Sequence, residues 1–269
     1  MTTETLILDT ASGELATFFA DHEPASGGAL LGPRSINAIS HFVPDHYADA
    51  CATSYTSSDE LVFMVNELET SESVELKGIA HSHRGSLNRP PALDWQAADG
   101  ALAASPHLPR YLIPSITLRA ECVFKSSELD LLNSREELGS PDGDMVSSFT
   151  ARLRAHSGVT IKPTRLRIHH VGSSLAAAAE LLAASRISSP RPVDYAGTPL
   201  LAADLTAEDG DEWDFMFPWS SLFAPMIFRE GELLTVDWDF EIPKQERLAS
   251  ALERRLKRDH TGLPRGIHD

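Results

Sequence analysis

The chain is poor in cysteine: 269 residues include two, Cys51 and Cys122. Neither belongs to a CxxC pair, which excludes a thiolate zinc knuckle, and two are too few for a disulfide scaffold. Basic residues are also scarce, with 23 Lys and Arg against 39 Asp and Glu, for a formal net charge of −16. Such a surface repels phosphate backbones and anionic membranes, so neither nucleic acid nor membrane is an expected partner. The acidity either keeps the protein soluble or favours a basic protein partner. No run approaches the roughly 18 apolar residues of a membrane span. The opening "MTTETLILDT" lacks the basic and apolar pattern of a signal peptide, so the expected location is cytoplasmic. No GxGxxG, P-loop or internal repeat is found.

What is there reads as an α/β protein. In the first half, "ETLILD", "GGALLG" (27–32), "SINAISHFV" (35–43) and "VELKGIAHSH" (74–83) read as strands. Residues 11–20 read as a weak helix. Residues 57–69 read as a good one, with Ser58 as its cap and Leu61, Val65 and Leu68 on one face. Asp94 opens a further helical pattern. "YLIPSITLRAECVF" (111–124) reads as a strand, and Pro114 within it favours an edge or a bulge. "GSPDGD" (139–144) is the best boundary signal, dividing a domain of residues 1–138 from an α+β region of residues 145–269. In that second region "TRLRIHHV" (164–171), "DEWDFMFPW" and "ELLTVDWDFEI" read as strands, "SSLAAAAELLAAS" (173–185) as a helix, and the stretch from Pro243 as a terminal helix with Leu248, Leu252 and Leu256 spaced by four. The aromatics of "EWDFMFPWSSLF" (212–223) suit either a core strand pair or an interface anchor. His169 and His170 are adjacent, face opposite sides of a strand, and suit structural roles.

Chemistry concentrates in "HSHRGSLNRPPALD", residues 81–94. His81 and His83 are two apart, so a strand through them presents both imidazoles on one face. Asp94 adds a carboxylate from the start of the next element. Two His and one Asp leave a fourth tetrahedral position open, the pattern of a catalytic rather than a structural zinc. A chance histidine pair in a loop is the competing account.

The stretch resembles the zinc motif of the JAMM (JAB/MPN-plus) metalloprotease family, bacterial Prok-JAB-like members included. There His-Ser/Thr-His is followed, thirteen residues after the first histidine, by Asp, the same spacing as His81 to Asp94. Ser82 fills the Ser/Thr slot and Pro90 stands where bacterial members often carry proline. "ASGGALLG" (25–32) resembles the family's Glu-x-x-Gly-x-Leu-x-Gly, with Gly28, Leu30 and Gly32 matching. The resemblance covers roughly residues 1–130. It implies a cytidine-deaminase-like mixed sheet flanked by helices, one Zn²⁺ held by His81, His83 and Asp94, and hydrolysis beside the C-terminus of a ubiquitin-like protein. Bacterial members are implied to sit in ubiquitin-like conjugation operons linked to phage defence, beside activating and conjugating enzymes, or to process sulfur carriers.

Two departures matter. The family's general-base Glu falls at Ala25, whose methyl group cannot take a proton. The family's oxyanion Ser falls at Pro91, which has no hydroxyl and no N–H to donate. Arg84 replaces the usual proline after His83. Three accounts of Ala25 stand open: an engineered Glu→Ala change, a natural metal-holding binding module that does not cut, or a takeover by Glu23. The expectation is a deubiquitinase-like zinc isopeptidase by family, disabled in this chain. A non-catalytic docking module for a ubiquitin-like protein or conjugation enzyme is the alternative.

Overall fold

A computed structural model of the chain describes residues 3–21, 26–34, 36–51, 54–84, 96, 99–100, 103, 111–118, 150–156, 161–219 and 223–261. Some of these, His83 and Arg84 among them, are described by backbone alone. The architecture is mixed α/β, with several sheets and four helices among the described residues. The chain divides into two compact units, residues 1–168 and 169–269. The boundary expected at 139–144 lies outside the described residues.

In the first unit, β1 (Thr3–Leu8) leads into α1 (Asp9–Asp21), followed by β2 (Gly27–Pro33), β3 (Ala38–Ile39) and β4 (His41–Asp45). A small hairpin of β5 (Asp49–Cys51) and β6 (Ser54–Thr56) precedes α2 (Asp59–Ser71) and β7 (Val74–Arg84). β8 (Tyr111–Leu118), β9 (Thr150–His156) and β10 (Ile161–His169) complete a sheet of order β3-β1-β10-β9-β8-β7-β2-β4. All seven residues of β2 are buried, so both faces of the sheet are covered there. Consecutive residues of β4 show by what. The Phe42 ring lies 5.4 Å from Phe18 and 5.8 Å from Phe19, both on α1. Val43 packs instead with Ala29, Leu31, Leu61, Val65 and Val74, the core beneath α2. Neighbouring strand residues point to opposite faces, so α1 and α2 sandwich the sheet.

α2 forms where the sequence places it. The Ser58 hydroxyl accepts from Leu61 N at 3.0 Å, and Leu61 and Val65 are buried. Two strand readings need correction. "SINAISHFV" is not one strand: the chain changes partners at Ser40, whose N–H donates to Leu31 O at 2.8 Å. β3 before it pairs parallel with β1, and β4 after it pairs antiparallel with β2. Pro114 does not mark an edge, because β8 runs between β7 and β9. The interior strand gives up one donor there and is held by its remaining ladder.

The second unit holds α3 (Gly172–Leu181), a sheet of β11 (Ala184–Ile187), β12 (Arg191–Tyr195), β13 (Thr198–Ala207), β14 (Glu212–Pro218), β15 (Met226–Arg229) and β16 (Glu232–Leu234), and α4 (Arg247–Thr261). Trp213, Phe215 and Phe217 alternate into the core, with Trp219 beyond them, so these aromatics are core rather than interface anchors. His169 is buried and its Nε2 lies 3.0 Å from Pro218 O, a structural role. The strand read over 232–242 stops at Leu234. Beyond it the backbone carbonyls are claimed by arginines of α4: Arg254 donates to Asp237 O at 2.8 Å, and Arg247 to Phe240 O at 2.7 Å and Ile242 O at 2.8 Å. These side-chain donors take acceptors that a continuing strand would offer to its ladder. No helix among the described residues is long and apolar enough to cross a membrane.

Two substitutions separate packing from chain entropy. A Cβ on Gly32 would lie 1.9 Å from Ala38 O, whereas one on Gly13, inside α1, would meet nothing within 4 Å. In urea unfolding, Gly32→Ala lowers stability by more than about 2 kcal/mol, and Gly13→Ala raises it by about 0.5–1 kcal/mol. A third change tests the second unit. Asp204 and Asp214 face each other across β13 and β14. Burial, then the Asp204 charge, pushes the Asp214 carboxyl above the ordinary aspartate value. Like charges directly opposite destabilise a sheet, so Asp214→Asn raises stability at neutral pH by about 0.5 kcal/mol, a gain that vanishes in acid.

Candidate functional site

β7 runs without a break through both histidines and Arg84. Along it Glu75 and Lys77 form a buried pair, Nζ to Oε1 2.6 Å, and Ile79 joins the core under α2. His81 is two positions further on and is 8% exposed. It pairs with Gly27 of β2 on one side and with Ser115 of β8 on the other. Gly27 in turn pairs with Asp45 of β4. One cross-strand row therefore reads Asp45, Gly27, His81, Ser115.

Gly27 makes this row work by having no side chain. A Cβ there would lie 2.6 Å from Cε2 of Tyr55 and 2.9 Å from Ala80 O. The ring of Tyr55 occupies that gap and stacks on His81, with centroids 5.6 Å apart and planes within 9°. Its hydroxyl donates to Asp45 Oδ2 at 2.9 Å. Asp45 also accepts from Ser58 N at 2.8 Å, Ser58 Oγ at 2.6 Å and Tyr47 N at 3.2 Å. Burial alone pushes this carboxyl up, but the hydrogen bonds from Ser58, Tyr55 and Tyr47 outweigh it and hold it below the ordinary aspartate value.

One step along, Ser82 is 2% exposed. Its N–H donates to Ser26 O at 2.9 Å, and the two hydroxyls stand 3.3 Å apart. The glycine-rich motif and the HSH motif, some fifty residues apart in sequence, are thus adjacent antiparallel strands in direct contact.

Of the residues singled out in the sequence, His81 is described in full and His83 by its strand backbone. Ala25, Pro91 and Asp94 lie outside the described residues, as does Glu23. Among the described residues no group of three His, Cys, Asp or Glu is placed to hold a metal ion. Sequence reasoning missed Gly27, Tyr55 and Asp45. The doubled glycine, Gly27-Gly28, was the available signal, since two adjacent bare positions in a buried strand each need a close neighbour as their cause.

No protein-family model matches the chain, and no curated protein matches it. Among solved structures, the solution structure of protein DSY2949 from Desulfitobacterium hafniense is similar with a TM-score of 0.41 at 14% sequence identity, over 62% of this chain and 93% of that one. A likeness that distant adds nothing to the geometry above.

The Asp45 network makes a pH prediction. A carboxyl with a depressed folded value contributes stability that is present above its unfolded value and is lost as pH falls through the folded value. Asp45→Asn therefore lowers stability at pH 7 by roughly 1–3 kcal/mol. It also flattens the acid limb of stability against pH below about pH 4. Urea unfolding between pH 2 and 7 reads both effects, and an unchanged acid limb would remove Asp45 from the account.

Proposed function

We propose that the first unit is a JAMM-type zinc domain, and that the parent activity is removal or maturation of a bacterial ubiquitin-like protein by isopeptide or peptide hydrolysis. The work is cytoplasmic, in a conjugation system with activating and conjugating enzymes of the kind linked to phage defence. The observation that carries this reading is the side-by-side pairing of the two motif strands, with His81 opposite Gly27 and Ser82 against Ser26. Two motifs that resemble one family in sequence order also meet in space, at the end of β7 that bears the histidines.

Two imidazoles and a carboxylate, from His81, His83 and Asp94, are a donor set that suits Zn²⁺ with one position open. When bound, zinc supplies Lewis acidity at a carbonyl oxygen and acidifies a water. The remaining tasks belong to the chain's own groups, and two of these are lacking. Ala25 cannot accept a proton from the attacking water or return it to the leaving amine, and Pro91 cannot donate to the oxyanion. The chain as it stands hydrolyses negligibly. Those same two residues favour a second reading, a metal-holding docking module for a ubiquitin-like protein or conjugation enzyme.

Ala25→Glu separates the readings. The measurements are zinc content by elemental analysis and cleavage of a ubiquitin-like fusion encoded in the same genome. The expected result is one zinc per chain in both forms and cleavage by the Glu form alone, at least about 10²-fold above the parent. Zinc without cleavage, also after Pro91→Ser is added, moves the assignment to the docking module. A chain that binds no zinc overturns the reading of His81, His83 and Asp94.

A further inference from the structure

A strand-borne histidine leaves the orientation of its ring open, because rotation about the Cβ–Cγ bond is broad and roughly two-fold. A metal site built on such a residue needs something that fixes the imidazole plane, since a donor lone pair binds along one direction in that plane. In His81 the ring is stacked within 9° of parallel on Tyr55. Tyr55 is itself held at its far end by Asp45, through a 2.9 Å hydrogen bond. Asp45 is fixed by three further donors, two from Ser58 and one from Tyr47. The space for the ring exists because Gly27 stands between Asp45 and His81 in the cross-strand row.

From this arrangement we infer that Tyr55 is a positioning residue: tethered through its hydroxyl to Asp45 and seated over Gly27, it fixes the imidazole plane of His81 and so preorganises the first metal ligand. The inference rests on the zinc reading above and deepens it. The tether runs from the β4 end and the start of α2, both anchored in the core, to the ligand. The direction His81 presents is thereby set by the folded body of the unit rather than by the strand end on which the histidine sits. Tyr55 neither touches substrate nor moves a proton in this role, and its effect is on affinity and coordination geometry.

The test uses the full chain. Zn²⁺ affinity is read by chelator competition and coordination by the absorption spectrum of the Co²⁺-substituted protein, for the parent, Tyr55→Leu, Tyr55→Phe and Val65→Ala. Val65→Ala opens a void beneath α2, away from the row, and controls for lost stability. Tyr55→Leu is expected to weaken Zn²⁺ about tenfold or more and to shift the Co²⁺ bands. Tyr55→Phe, which keeps the stacking and loses the tether, is expected to fall between it and the parent. Val65→Ala is expected to lower the melting temperature with affinity and spectrum unchanged. Should Tyr55→Leu fail to fold, Tyr55→Phe decides: weaker Zn²⁺ binding supports the tether, and parent-like binding overturns it. Parent-like affinity and Co²⁺ bands in a folded Tyr55→Leu overturn the inference alone. A parent chain that binds no Zn²⁺ overturns the zinc reading and this inference together.

Discussion

The antiparallel pairing of β2 with β7 is the contact from which the rest of the first unit follows. β2 is buried along its whole length, and its glycines are bare for different reasons. Gly27 yields to the Tyr55 ring, Gly28 to Val43 O and Phe42, and Gly32 to Ala38 O. Each admits a different neighbour, so the strand cannot slide by a residue without exchanging an accommodated group for a clash. Register in a half-buried sheet is ordinarily set by which side chains face the core. Here the missing side chains set it as firmly, and the register they set puts His81 at the Gly27 gap.

Asp45 is the second fixed point, and it works because it is buried with four donors rather than with none. A carboxylate removed from water and left unpaired would be neutralised or expelled. Supplied by Ser58, Tyr47 and Tyr55, it stays charged and becomes a rigid acceptor. Ser58 is shared in a useful way. Its hydroxyl accepts from Leu61 N at the start of α2 while donating to Asp45. Helix start and hairpin are therefore joined by one polar network, on whose Tyr55 ring His81 stacks, and negative charge near a helix N-terminus is further favoured by the exposed amides there.

How much of this was legible depends on how local the cause is. α2 was legible because a cap and a 3.6-residue period are written within thirteen residues. β7 was legible from alternation, and it delivers His81 and His83 along one strand as the spacing suggested. The break at Ser40 was not, since it arises from a change of partner between β1 and β2, neither of which the local sequence names. Residues 235–242 alternate like a strand, but their acceptors are taken by Arg247 and Arg254 from later in the chain. Tyr55 and Asp45 were missed for the same reason. Ten residues separate them, and only the row across three strands shows that one holds the other over a histidine.

The departures from the family pattern also have a physical logic under the proposed reading. The residues that build the row are bound into the fold: Gly27 by close packing, Asp45 by four hydrogen bonds, His81 by burial between two strands. On the proposed reading, the family counterparts of Ala25 and Pro91 serve a proton and the oxyanion. On that reading, a chain that keeps His-Ser-His on the β2–β7 frame while lacking the base would hold metal without hydrolysing. A single Glu→Ala change accounts for Ala25 alone. Pro91 is a second, independent departure from the family pattern, which one such change does not explain.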